Sequence, residues 1–472
     1  MKRYEDLAAD MEASIRTGLL RPGERLPSVR QASASRGISA STIFQAYYLL
    51  EARGLVRARE RSGYYVLEGV RRVPATPDKT SQPQQESVAI DSSERVFEIV
   101  ESTMSSALVP FGSAFPSPAL FPLERLGQAM ASSIQSVDTW GSVDDIQMGN
   151  SGLRRLIAQR YMAEGVNVSA DDIVMTNGAL QALNLCLSAV TRPGDSVIVS
   201  CPTFYSALQS IERLSLKAVE VPTHPCEGID LAALEQAIHR HKPKACWLMT
   251  TFDNPLGCSM TDAKKQALVE LLARHDIPLI EDDVYAELYF GPKRPRPAKA
   301  YDTRGLVLHC SSFSKCLAPG YRLGWAVPGR YVRDVARRRF TTTLGMPVPP
   351  QVAVASYLER GGYDRHLRKL RRTLAGQLQV FSQAVCQYFP ADTRATLPEG
   401  GYFFWVELPA GADALKIHAK ALAHGISVAP GPIFSARQDF SNCLRLNFGH
   451  AWDHRAEQAM ATLGRLVLPG GH

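Results

Sequence analysis

The sequence predicts an α/β protein of two folded units, a small helical head closed by a β-hairpin and a large body with a mainly parallel sheet, joined by a tether. Three observations carry this. Helical apolar spacing in the first fifty residues gives way to alternation through residues 55–67; a stretch rich in Pro, Gln, Ser and Thr follows; and beyond residue 100 helical patterns alternate with short apolar runs. A chain of 472 residues with 45% hydrophobic and 21% charged residues is long enough for two or three compact units and reads as soluble. It contains no apolar run of the roughly 20 residues that a membrane span needs. The N-terminus lacks the apolar core of a secretory signal, so a cytoplasmic protein is expected. Nine scattered cysteines without CxxC pairs predict reduced thiols and no metal site.

In the head, Tyr4, Leu7, Ala8, Met11, Ile15 and Leu19 follow helical spacing up to the Pro22-Gly23 turn. A second helix starts near Ser28 after Pro27, and a third follows Gly37, with Ser39 or Ser41 as its cap and Ile43, Ala46, Tyr47 and Leu50 on one face. Alternation through residues 55–59 and 64–67 about Ser62-Gly63 predicts a hairpin. Three helices and a hairpin make a winged helix-turn-helix. Residues 1–67 hold eleven Lys/Arg against seven Asp/Glu, a net of +4 out of +7 for the whole chain, and a basic head on a near-neutral body points to nucleic acid.

The words "LLRPGERLPSVRQ", "GISASTIFQAYYLLEARGLV" and "ERSGYYV" resemble the DNA-binding head of the GntR regulators. The resemblance implies a double-stranded DNA operator as partner, with the third helix in the major groove and the wing on phosphates. It assigns DNA contact to Ser28, Arg30, Ser39, Ser41, Thr42, Gln45, Arg59, Arg61 and Gly63. Ala40 stands where members of the family often carry an arginine, so base readout is expected to differ. A protein-binding winged helix is the alternative. Residues 68–95, with Pro74, Pro77 and Pro83 among polar residues, are expected to be a flexible linker, leaving 96–472 as the body.

The body carries six words whose chemistry converges. In "SSFSKCLAPGYRLGW", Lys315 can form a Schiff base with an aldehyde, while Ser312, Ser314 and Arg322 can neutralise a phosphate; together they point to pyridoxal 5'-phosphate. In "IEDDVYAELYF", Asp282 is the carboxylate that would keep the pyridine nitrogen protonated, and Tyr285, three residues on, can donate to the ring oxygen. Glu281 and Asp283 compete for the first role. Asn254 of "NPLG" can donate to the same oxygen, although such a word is often an ordinary turn. Gly178 of "TNGALQALNL" precedes a helix whose first amides, at Ala179 and Leu180, would face the phosphate. Phe204 of "CPTFY" can stack on the ring, with Tyr205 as the alternative. Arg445 of "CLRLNFG" can grip a substrate carboxylate, its rival role being a structural arginine in a strand. Cys310 and Cys316, close to Lys315, read as buried inert thiols before redox switches.

Taken together, these words resemble the class I/II aminotransferases over residues 110–465. That implies the PLP-dependent transferase fold type I, with a large α/β domain and a smaller α+β C-terminal part, and gives Lys315, Asp282 and Tyr285 the catalytic roles. Gln147 stands where that family usually has a tyrosine that reaches the neighbouring subunit's phosphate, which argues against efficient transamination. Head plus body is the arrangement of the MocR regulators, and the chain resembles their YdcR-type members. The resemblance implies a transcription factor, a head-to-tail homodimer, whose body senses the cofactor or an amino-acid or amine ligand. A working aminotransferase with an autoregulatory head is the alternative.

Overall fold

In the computed structural model the described residues are 3–16, 19–21, 23–52, 55–59, 62–67, 73–84, 86–103, 105, 107–135, 137, 143 and 145–468. They form two compact units that divide after Val73.

The first unit has helices Arg3–Arg16, Val29–Arg36 and Ala40–Ala52, then β1 (Val56–Arg59) paired antiparallel with β2 (Gly63–Val66) in the register Val56 to Val66 and Arg59 to Gly63. Ser28 starts the second helix through a capping box: its hydroxyl accepts from the Gln31 amide at 3.2 Å, and the Gln31 side chain accepts from the Ser28 amide at 3.1 Å. Of the two candidates for the third cap, Ser39 takes it, accepting from the Thr42 amide at 3.3 Å. Ile43, Ala46, Tyr47 and Leu50 are fully buried against Leu7, Ala8, Met11 and Ile15, each large apolar side chain contributing about 1.5–3 kcal/mol. Leu19 departs from the expected stripe. It lies beyond the helix end and is 76% exposed.

The second unit is built on one large sheet. Its strands are β3 (Ser87–Ala89), β4 (Val174–Thr176), β5 (Ser196–Cys201), β6 (Lys217–His224), β7 (Gly228–Ile229), β8 (Ala245–Leu248), β9 (Leu279–Asp282), β10 (Val307–Ser312) and β11 (Gly324–Val327). The order is β3-β6-β5-β8-β9-β10-β11-β4, with β7 on β6. Strands β6, β5, β8, β9 and β10 run parallel and are buried on both faces, as their Val/Ile-rich runs require, whereas β11 is antiparallel to β10 and β4. A smaller antiparallel sheet follows, β12 (Arg394–Ala395), β13 (Phe403–Glu407), β14 (Ala429–Pro430) and β15 (Cys443–Asn447), in the order β12-β13-β15-β14. This is the expected α/β body with an α+β C-terminal part. In such a sheet the loops leaving the carboxyl ends of parallel strands form the binding crevice, here after β8, β9 and β10.

The linker expectation needs correction. From Pro74 onward the chain belongs to the body, while residues 68–72 lie outside the described ones. The Ser81 hydroxyl donates to the Cys201 carbonyl and accepts from the Thr223 amide at 2.9 Å, Asp78 pairs with Arg394 and Glu86 with Arg437, both at 2.7 Å, and β3 pairs antiparallel with β6. The physical reason is the open edge of β6. Its free backbone groups accept a strand from a segment whose composition could not fold alone.

Candidate cofactor site

Strand β9 sorts three consecutive carboxylates by alternation. Glu281 and Asp283 face one side, where a buried network takes them up. Glu281 accepts from Thr250 Oγ1 at 2.6 Å and from the Ala298 and Lys299 amides at 2.6 and 3.0 Å, and lies 2.9 Å from His309 Nδ1. Asp283 pairs with Arg294 at 3.1 Å, and Arg294 pairs with Glu164 at 2.5 Å. Asp282 faces the other side, into a cavity of about 310 Å³.

That cavity gathers residues from the ends of five strands and the segments that follow them: Asp282 and Tyr285 at and after the end of β9, Asn254 after β8, Ser312, Ser314, Lys315 and Arg322 at and after the end of β10, Ala179 and Leu180 after β4, and Phe204 after β5. Lys315 Nζ donates to the Ala114 carbonyl at 2.9 Å and sits 3.7 Å above the Phe115 ring. Burial, reinforced by the nearby positive charge of Arg445 and opposed by Asp282, pushes the Lys315 amine down to about 7. Burial and the charge of Asp283, opposed by Lys315, push the Asp282 carboxyl up to about 7. A buried acid and base meeting near neutrality can exchange a proton at little cost, a property of catalytic and ligand-reactive sites. Burial also pushes the Tyr285 hydroxyl up, so it stays a neutral donor.

At the head of helix Ala179–Val190, Gly178 has φ +84, and a side chain there would meet the Arg322 guanidinium at 2.5 Å. A Cβ on Gly324 would lie 2.5 Å from the Gly178 carbonyl carbon and 2.6 Å from the Ala179 nitrogen. Two bare backbones therefore let Arg322, whose Nη2 donates to the Asn177 carbonyl at 3.2 Å, lie beside the first amides of the helix. A helix N-terminus with a guanidinium beside it is an anion cradle.

Arg445 is placed differently from the other predicted residues. It is 1% exposed and is not on the cavity wall; its guanidinium donates to Asn254 Oδ1 at 3.1 Å and to the Gly112 carbonyl at 2.7 Å, and lies 4.2 Å from the Phe403 ring centroid. Phe204 and Tyr205 both line the cavity, 4.8 Å apart, with Tyr205 the more deeply buried. Cys310 and Cys316 are buried and burial pushes both thiols up. Gln147 is exposed. Sequence reasoning missed Ala114 and Phe115 and, on helix Ser93–Ser102, Phe97 and Val100. No spacing rule marks residues that arrive from distant segments. The positive φ of Gly178 was signalled only by the residue type.

On the head, Arg30, Ser39, Ser41, Gln45 and Arg59 are exposed, Ser28, Thr42 and Gly63 half-buried, and Arg61 lies outside the described residues. Ser28 and Ser39 already serve as helix caps, and the Arg59 guanidinium lies 4.5 Å from the Tyr65 ring centroid. Among the described residues no helix is long and apolar enough to cross a membrane.

Known proteins agree with both units. The family profile "Aminotransferase class I and II" matches residues 119–461, and "Bacterial regulatory proteins, gntR family" matches residues 3–66. The HTH-type transcriptional regulator YdcR of Escherichia coli K12 is 46% identical over 467 residues, 99% of each chain, and YjiR of the same organism is 37% identical over 471 residues, again 99% of each. The crystal structure of Pyrococcus horikoshii kynurenine aminotransferase superposes with a TM-score of 0.72 at 28% identity, covering 79% of this chain and 94% of that one. A DNA-binding head on an aminotransferase-type body defines the class. The chain belongs to the GntR family of bacterial regulators in its MocR form, in which the head is fused to a class I and II aminotransferase domain.

The cofactor of such a body is pyridoxal phosphate, and the residues present fit it. Three buried polar atoms in the cavity wall, Asp282 Oδ1, Asn254 Nδ2 and Ser314 Oγ, have no hydrogen-bond partner among the described residues, a cost tolerated where a ligand completes them. A protonated ring nitrogen, a ring oxygen and a phosphate supply the missing partners, and the Gly178–Gly324 cradle has room for the last of these.

Proposed function

We propose that this chain is a DNA-binding transcriptional regulator whose body binds pyridoxal phosphate at Lys315 and reports an amino compound to the head. The observation that carries the reading is the gathering of a near-neutral lysine, a buried carboxylate and an anion cradle in one cavity of a chain that also carries a GntR head. Bound pyridoxal phosphate supplies an aldehyde that combines with amines and a ring that accepts electron density. Around it, Asp282 would hold the ring nitrogen's proton, Asn254 and Tyr285 would donate to the ring oxygen, and Phe204 would cover one face. Ser312, Ser314, Arg322 and the amides of Ala179 and Leu180 bind the phosphate. Lys315, unprotonated above about pH 7, would hold the cofactor's aldehyde carbon, and its amine could carry a proton. Arg445 stands behind Asn254 to receive a carboxylate if the Gly112 carbonyl lets go of it. On the head, Arg30, Ser41, Gln45 and Arg59 meet double-stranded DNA, and a cytoplasmic homodimer, head to tail, reads a two-fold operator. Differential ligand affinity between two head arrangements is the switch.

One observation favours the second reading, a working aminotransferase: the acid and base of the reaction are both present and tuned to about 7. The deciding experiment is an absorbance titration of the loaded protein with amino acids and amines, followed by a keto-acid assay. A changed cofactor band without keto acid supports the regulator; multiple turnovers promote the enzyme. Lys315→Ala is expected to abolish the imine band of the loaded protein while the fold survives, and a retained band removes Lys315 from its role. Arg30→Ala is expected to weaken operator binding and flatten its salt dependence by about one counterion, with the cofactor spectrum unchanged; unaltered binding removes Arg30 from the interface.

A further inference from the structure

We infer that the compound read by this cavity is an α-amino acid with a large apolar side chain. The inference rests on the cofactor reading above and adds the ligand's chemical class. Among the described residues lining the cavity, the charged side chains are Asp282, Lys315 and Arg322, and all three are the ones assigned above to the cofactor. None is left for a charge on the ligand's side chain. A second carboxylate or ammonium entering there would shed its water without gaining a counter-charge.

Apart from the uncharged polar Ser206 and Gln209, the remaining wall is mostly apolar. Phe97 and Val100 stand at i and i+3 on helix Ser93–Ser102, and Phe115 and Leu180 line the same cavity. The helix is fixed from behind. Val96 is buried, and Glu212 accepts from the Ser92 and Ser93 amides at 3.2 and 3.1 Å and from the Ser93 hydroxyl at 2.8 Å. Phe97 is nevertheless 60% exposed, Leu180 43% and Phe115 38%, so three large apolar side chains meet water. Scattered exposed hydrophobics need no explanation, but three of them lining one cavity that also holds Asp282, Lys315 and Arg322 mark a surface that a ligand covers. An amino acid that offers its amine to the cofactor and its carboxylate toward Arg445 directs its side chain toward those three.

The test uses the full chain loaded with pyridoxal phosphate, following the bound cofactor's absorbance while L-phenylalanine, L-leucine, L-glutamate and L-lysine are added in turn. L-Phenylalanine and L-leucine are expected to act at concentrations about tenfold or more below the other two. Phe97→Ala is expected to weaken L-phenylalanine several-fold and leave the spectrum without amino acid unchanged. An equal or stronger response to L-glutamate or L-lysine overturns the inference while sparing the sensing reading. So does a Phe97→Ala variant that binds L-phenylalanine like the parent, which would assign the exposed apolar side chains to a covering partner subunit. A loaded protein silent to every amino acid overturns both the inference and the sensing reading beneath it.

Discussion

The two faces of strand β9 make opposite use of the same residue type. On one, Glu281 is taken up by Thr250, His309 and two amides, while Asp283, raised by burial against the pull of Arg294, keeps its ion pair with that guanidinium although its Oδ1 has no hydrogen-bond partner among the described residues. On the other, one residue away, Asp282 likewise keeps its Oδ1 without a hydrogen-bond partner among the described residues, but it opens into the cavity and its carboxyl is driven up to about 7. The first face is scaffold. The second is a site held at a cost, since a buried carboxylate short of partners is stable only because the surrounding structure fixes it. The difference lies in what each carboxylate faces: Asp283 is held against the Arg294 guanidinium, whereas Asp282 opens into a cavity that a ligand can fill.

The largest effect that could break this contrast is on the scaffold face. Arg294→Ala leaves Asp283 and Glu164 buried without their cation, and losing one partner of a buried ion pair costs about 3–5 kcal/mol. A correspondingly lower urea midpoint is expected, with the cofactor band of the folded fraction unmoved. A shifted band would mean that the network tunes the site and that the two faces are not separate.

The cavity face should respond in the opposite direction. In protein prepared without pyridoxal phosphate, Asp282→Asn removes a carboxyl whose folded value stands at about 7 against an ordinary 3.8. A raised folded pKa means that the folded state holds the proton more tightly, so its penalty is absent in acid and grows as pH rises from about 4 to about 7. The variant is therefore expected to be more stable than the parent at pH 8, by on the order of 4 kcal/mol, and the gap to close toward pH 4. Calorimetry at both pH values checks the sign. The same variant is expected to lose cofactor affinity, and a variant that gains neither stability nor a weaker cofactor would place Asp282 on the scaffold side.

How far this was legible in the sequence depends on whether the signal was local. The D-x-x-Y spacing singled out Asp282 from two adjacent carboxylates, and period-two alternation is why that choice corresponds to a separate face. Lys315, Arg322 and Gly178 came from words in which chemistry and backbone requirement lie within a few residues of each other. Arg445 was identified by residue type, but its position behind Asn254, held by the Gly112 carbonyl, depends on a contact over 333 residues of sequence. The linker failed for a related reason. Residues 74–95 have the composition of a tether, and only the free edge of β6, formed more than a hundred residues later, turns part of them into a strand. Leu19 failed because periodicity carries no information on where a helix stops.

The smallest expected effect sharpens the scaffold side. Thr250→Val removes one donor from Glu281, the 2.6 Å hydroxyl bond, and leaves the two amides and His309 in place. A hydrogen bond to a charged group contributes about 1.5–3 kcal/mol, and the remaining donors can tighten, so a loss at the low end of that range is expected. Burial works to raise the Glu281 carboxyl, but the His309 contacts and the Thr250 bond outweigh it and hold the group below its ordinary range. A depressed carboxyl stabilises the fold above its unfolded value, near 4.5, and that contribution disappears as pH falls through the folded value. Taking away one donor raises the folded value. Acid unfolding of Thr250→Val should therefore begin at higher pH than in the parent, while the difference above pH 6 stays constant and the cofactor band does not move. An acid midpoint equal to the parent's would mean that His309 and the two amides alone fix the charge of Glu281, leaving Thr250 a packing residue on the scaffold face.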